Sequence, residues 1–116
     1  MHKLNSLGNE PRQQVTAILN DGTRLPLTFE YRANQLGWFF GFEYNGINYQ
    51  NIRLTTSYNI LRGYRNWLTF GIRCDTLDGL EPMDLDDFLT GYATVFILSP
   101  EEVNITESTY YVKISA

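Results

Sequence analysis

The sequence predicts a mainly β fold, a small antiparallel barrel or sandwich with one or two short helices. Three observations predict it. Two hairpin signals, Asn20-Asp21-Gly22 and Asn45-Gly46, separate segments whose apolar residues recur at every second position. Six or seven such period-two segments follow one another along the chain. Seven Phe, eight Tyr and two Trp in 116 residues are a heavy aromatic load, of the kind that pleated, half-buried surfaces accommodate. The length allows one domain with one core. The expected division is a flexible N-terminal arm over residues 1–13 and a single β-domain over 14–116.

Residues 1–13 show no period and contain Gly8 and Pro11. From Gln14, Val15, Ala17 and Leu19 alternate into Asn20-Asp21-Gly22, which is read as a type I′ turn. On the return strand Leu25, Leu27, Phe29 and Tyr31 point one way, and Pro26, Thr28, Glu30 and Arg32 the other. Pro26 lacks a donor, so one side of that strand is expected to be an edge near its start. A third strand over 36–45 carries Trp38, Phe40, Phe42 and Tyr44 on one face, read as core. Gly37 and Gly41 interrupt its other face and predict a bulge or a close backbone approach. Asn45-Gly46 then turns the chain into Ile47 and Tyr49, and a phase shift at Gln50-Asn51 predicts a second irregularity. These four strands read as an antiparallel meander.

Residues 58–64 place apolar groups at helical spacing, enough for one or two turns, with Gly63 as C-terminal cap. A strand over 67–75 puts Leu68, Phe70, Ile72 and Cys74 on one face. An acidic loop with six carboxylates follows over 75–87, and Leu85, Phe88 and Leu89 predict a short helix closing it. Residues 92–98 are apolar on both faces, which reads as a central strand, with Phe96 assigned to the core. Ser99-Pro100-Glu101-Glu102 has capping-box spacing with Pro at the first helical position, but no apolar stripe follows, so a single turn is expected. Tyr110, Val112 and Ile114 alternate as a last strand.

Composition excludes several chemistries. One cysteine, Cys74, leaves no internal disulfide or Cys-based zinc cage, and it reads as a buried structural thiol. His2 is the sole histidine. The acids of the 75–87 loop do not fit the EF-hand register, and no pair of carboxylates is singled out for glycoside chemistry. No phosphate loop or nucleophile elbow occurs. Catalytic, cofactor and metal residues are therefore expected to be none. The formal charge of −4 disfavours nucleic acid and anionic membranes, and no apolar run approaches a membrane span.

The charges are segregated. Residues 1–73 hold eight cations (Lys3, Arg12, Arg24, Arg32, Arg53, Arg62, Arg65, Arg73) and four acids, whereas 74–116 hold Lys113 and nine acids. Seven of those eight cations are Arg, the side chain suited to bidentate interface pairing. Either the two surfaces are simply solvated, or the basic surface of one copy meets the acidic surface of the next, steered by opposite potentials. The candidate contact residues are Arg53, Arg62 and Arg65 near the middle helix, and Asp84, Asp86 and Asp87 in the acidic loop.

The block from Gly37-Trp38-Phe39-Phe40-Gly41-Phe42-Glu43-Tyr44-Asn45-Gly46 leads into Asn51-Ile52-Arg53-Leu54, then Asn59-Ile60-Leu61 and Tyr64. Later the strand over 92–98 runs into Ser99-Pro100-Glu101-Glu102. In that order these features resemble the baseplate plug proteins of contractile-tailed bacteriophages, the cyanophage baseplate plug among them. The resemblance covers residues 14–102 and departs in the acidic loop and over 103–116. It implies a non-enzymatic virion component, made in the host bacterial cytoplasm and packed around the central hub and spike of the tail baseplate, near the tail tube. The implied partners are hub, spike and tail-tube proteins, with self-association as a further option. It implies no cofactor. The rival reading is a free-standing β-domain that binds a small ligand or carbohydrate through exposed aromatics.

Overall fold

The computed structural model describes residues 2–5, 7–64 and 67–110. Its strands are β1 (His2–Lys3), β2 (Arg12–Ile18), β3 (Arg24–Arg32), β4 (Gly37–Tyr44), β5 (Ile47–Arg53), β6 (Gly71–Thr76) and β7 (Ala93–Leu98); its helix is α1 (Pro100–Tyr110). The strands form two separate antiparallel sheets, ordered β2-β3-β4-β5 and β1-β7-β6. Their inner faces share one apolar core, so the fold is sandwich-like and not a closed barrel. The four-stranded sheet is the predicted meander.

Turn chemistry sets its registers. At Asn45-Gly46 both φ angles are positive (52° and 74°), as a type I′ turn requires, and Tyr44 pairs with Ile47. The first turn differs from the expected type. Only Gly22 has positive φ there, its N–H bonds to the Leu19 carbonyl, and Leu19 N–H bonds to the Thr23 carbonyl. This is the three-residue hairpin loop, in which Gly alone takes the left-handed position. Pro26 pairs with Thr16 of β2, but the ladder to β4 begins one residue later at Leu27–Phe42, leaving the proline beyond its end. The β4–β5 register shifts between Phe40 and Phe42, so that Gly41 faces both Gln50 and Asn51, and Asn51 adopts φ 60°. A Cβ at Gly41 would stand 2.8 Å from the Tyr49 carbonyl oxygen.

The aromatic stripe of β4 is core, with Trp38, Phe40 and Phe42 buried and Tyr44 packed at its margin. Phe29 stacks on Phe40 at 5.8 Å between centroids. Phe88, from the acidic loop, meets Trp38 edge-on at 5.0 Å. The expected strand over 67–75 begins only at Gly71: Leu68 and Phe70, in the turn ahead of β6, and Ile72 and Cys74 within it close the core from the other side. Residues 2–4 engage it as well: His2 and Lys3 pair with Ile97 and Phe96, and Leu4 is buried.

Other expectations are corrected. Phe96 is only half-buried, because it stands on the outer face of β7 while Val95 and Ile97 point inward. The 58–64 segment forms a 3-10 turn over Ile60–Tyr64, and Gly63 lies inside it without a left-handed φ, so it is no cap. Residues 85–91 make successive turns, with Phe88 buried and Leu89 exposed, and no helix. The capping box at Ser99 is reciprocal: Ser99 N–H donates to Glu102 Oε1 at 3.0 Å, and Glu102 N–H to Ser99 Oγ at 3.2 Å. The helix runs eleven residues, not one turn, because Val103 and Thr106 bury a narrow stripe that includes a threonine. Val103 fits where Gly71 has no side chain, its Cγ2 being 3.0 Å from the position of a Cβ there. The expected last strand fails at Tyr110, the final residue of α1; Val112 and Ile114 lie outside the described residues.

Candidate interaction surfaces

The four-stranded sheet turns one face to solvent, and strand alternation dictates what it carries. Register places Arg12, Glu30, Phe39 and Arg53 side by side across β2, β3, β4 and β5. Phe39 lies beneath two guanidinium groups, with Arg32 Cζ 4.3 Å and Arg53 Cζ 5.4 Å from its ring centre. Arg32 donates to Glu30 Oε1 at 2.8 Å and to Asn51 Oδ1 at 2.6 Å. Arg12 reaches the same carboxylate at 3.4 Å. The Arg32 hydrogen bond holds the Glu30 carboxyl below its ordinary range. Arg53 donates to the Gln35 and Leu36 carbonyls, and Gly37 leaves the space it crosses, a Cβ there falling 2.8 Å from Nη2. Beside this row a groove of about 490 Å³ opens over Gly41, bordered by Arg24, Pro26, Thr28, Glu43 and Gln50. The outcome is a basic face with an aromatic centre.

The second surface is the loop between β6 and β7. Its backbone is anchored from the core side: Tyr31 Oη donates to the Met83 carbonyl at 2.7 Å, and Trp38 Nε1 to the Asp84 carbonyl at 3.2 Å. Thr56 and Thr76 hydroxyls both donate to the Leu80 carbonyl, at 2.9 and 2.7 Å. Tyr92 bonds to Asp78, which lowers the Asp78 pKa and raises that of Tyr92. On this fixed backbone Leu77, Leu80, Met83 and Leu89 stand exposed among Asp78, Glu81, Asp84 and Asp86.

The candidate contact residues occupy different situations. Asp84 and Asp86 are exposed, and Asp86 Oδ1 accepts from Asn9 at 3.3 Å. Asp87 is buried, and its Oδ2 accepts the Asp84 N–H at 3.0 Å, so it braces the loop from inside. Burial raises the Asp87 pKa, and the neighbouring Asp84 and Asp86 add to the rise. Arg53 belongs to the basic sheet face, whereas Arg62 pairs with Glu107 of α1 at 3.3 Å, so the two are not one cluster. Arg65 lies outside the described residues. Sequence reading missed Arg12, Arg32 and Phe39 as one surface, although the alternation of β3 had already set Arg32 on the outward side.

Cys74 is buried, and desolvation pushes its thiol up to about 12, far from a nucleophile's range. Among the described residues no group of three or more His, Cys, Asp or Glu side chains could hold a metal ion. Nor is any helix among them long and apolar enough to cross a membrane.

A two-sheet β-domain with guanidinium groups on one open face and an anchored acidic, apolar loop has surfaces of the kind that structural modules present to partners. Residues 1–100 match the protein family described as cyanophage baseplate Pam3 plug gp18, and the chain belongs to that family. It is thus a baseplate protein of the phage tail, with a structural role. The match takes in the N-terminal segment and ends at the start of α1. No curated protein matches the chain.

Proposed function

We propose that the chain is a plug-like component of a contractile tail baseplate, packing around the central hub and spike and holding the assembly before contraction. The family match over residues 1–100 carries this reading. The protein acts as no enzyme: its mechanism is an exchange of contacts when the tail contracts. Its partners are hub, spike and tail-tube proteins, not nucleic acid or membrane. It is made in the host bacterial cytoplasm and carried in the virion. This reading takes residues 14–116 as the folding unit and 1–13 as an arm, held to it by the β1 pairing, buried Leu4, the Asn9–Asp86 hydrogen bond and the start of β2 at Arg12.

Arg53 on the sheet face, Arg62 beside α1, and Arg65 are the basic contacts of this reading and Asp84 and Asp86 the acidic ones, with Asp87 shaping the loop that presents the acids. Exposed pairs contribute only about 0–1 kcal/mol each, so single reversals have mild effects. The test is binding to purified hub and spike proteins at low and high salt. Asp84→Lys with Asp86→Lys is expected to weaken binding by about tenfold at low salt while the melting temperature holds. Binding that is unchanged at both salt concentrations overturns the electrostatic contact, and absence of any binding by the unaltered chain overturns the baseplate arrangement.

A further inference from the structure

Alternation along β3 and β4 places the two surfaces on opposite sides of the same strands. Tyr31 and Trp38 point inward and hold the loop through its Met83 and Asp84 carbonyls. Arg32 and Phe39, each the next residue along, point outward with their cation–π contact. The loop of one copy therefore meets the basic face only of another copy.

The two surfaces are complementary in balance: the loop is acidic, and the sheet face carries Arg12, Arg24, Arg32 and Arg53 against Glu30 and Glu43. The loop exposes Leu77 (81%), Leu80 (63%), Met83 (46%) and Leu89 (60%), a concentration of uncovered apolar side chains that marks a contact site. Because its backbone is already anchored, docking would add little ordering cost. The sheet face supplies the groove over Gly41, exposed Ile18 and Pro26, and the Arg12, Arg24 and Arg32 guanidinium groups. The loop bears four exposed carboxylates and no cation.

We propose that the 77–91 loop of one copy docks on the outer face of the four-stranded sheet of the next copy. Its leucines enter the groove over Gly41, and its carboxylates face Arg12, Arg24 and Arg32. Each copy gives one loop and takes one, so the contact is head-to-tail and makes a ring where the rotation closes. The inference rests on the assembly reading above and names one of its partners, a second copy.

The test uses the full chain in sedimentation velocity up to millimolar concentration. A loop variant, Leu80→Lys with Leu89→Lys, and a face variant, Arg24→Glu with Thr28→Glu, are each expected to self-associate at least about tenfold more weakly than the unaltered chain. Mixed together they form a dimer and stop, because one intact face meets one intact loop. Circular dichroism and melting temperature confirm the fold of each. Should either variant not fold, Leu80→Cys with Thr28→Cys replaces it: oxidation should give disulfide-linked multimers, with buried Cys74 unreactive. An unaltered chain that stays monomeric, a variant that associates like it, a mixture without dimer, or a failure to cross-link overturns the proposal. Hub and spike binding is measured on the same samples. Retained hub binding without self-association sinks this contact alone, and self-association without hub binding sinks the baseplate arrangement alone.

Discussion

The indole N–H of Trp38 donates to the Asp84 carbonyl at 3.2 Å, tying the buried aromatic strand to a loop 46 residues further along the chain. One side chain thereby fills the core and positions the backbone that displays Asp84, Asp86 and the exposed leucines. Tyr31, paired with Trp38 across the sheet, does the same for Met83.

Trp38→Phe keeps an aromatic ring but leaves the Asp84 carbonyl without that donor. We expect a loss of about 1–3 kcal/mol in urea unfolding. Amide hydrogen exchange should rise over 83–91 more than in β2. Equal changes in both regions would contradict the anchoring role.

Phe40→Ala removes a ring that is 2% exposed and should cost about 3–5 kcal/mol. Phe96→Ala, on the half-buried outer face of β7, should cost clearly less. Chemical denaturation of the two variants decides it, and equal losses would restore Phe96 to the core.

Gly41→Ala forces a methyl toward Gln50 and to within 2.8 Å of the Tyr49 carbonyl, and should destabilise by about 1–3 kcal/mol. At Gly63 no atom lies within 4 Å of an added Cβ. Gly63→Ala should therefore stabilise by about 0.4–1 kcal/mol through the unfolded chain. Thermal melts of both variants check the opposite signs.

Asp87 is an acid whose pKa is raised in the fold from 3.8, chiefly by burial. The folded state thus binds this proton more tightly than the unfolded chain. Its contribution is most favourable below 3.8 and is lost as pH rises through that value to the raised one. Asp87→Asn keeps an acceptor for the Asp84 N–H and removes the titration. Relative to the unaltered chain, its stability should improve across that rise, as measured by urea unfolding at stepped pH. A constant difference would contradict the buried carboxylate's role.

The meander was legible because side-chain period and turn residues agree along β2 to β5: Leu25 to Tyr31 alternate, and Asn45-Gly46 admits only a tight turn. Gly37 and Gly41 were legible as a pair for the same reason, since a glycine within an aromatic strand calls for a close neighbour. What escaped sequence reading depends on tertiary partners. The continuation of α1 past one turn goes with tertiary contacts that no local period reports: buried Val103 and Thr106, and Tyr110 stacked on Tyr58. The first hairpin loop takes its type from hydrogen bonds of Leu19, which composition does not carry. At the site, the acids were visible as a cluster. That Asp87 turns inward while Asp84 and Asp86 stay outside is set by the Asp84 N–H that it accepts. The row from Arg12 to Arg53 exists only once four strands fix their registers.

Quantitative mass spectrometry of purified tails from the phage that encodes this chain tests the baseplate assignment most directly. The chain should be recovered with hub and spike proteins in a fixed ratio across preparations, and should remain with them in isolated baseplates. Its absence from baseplates, with recovery only in the soluble host lysate, would contradict a structural role in the tail.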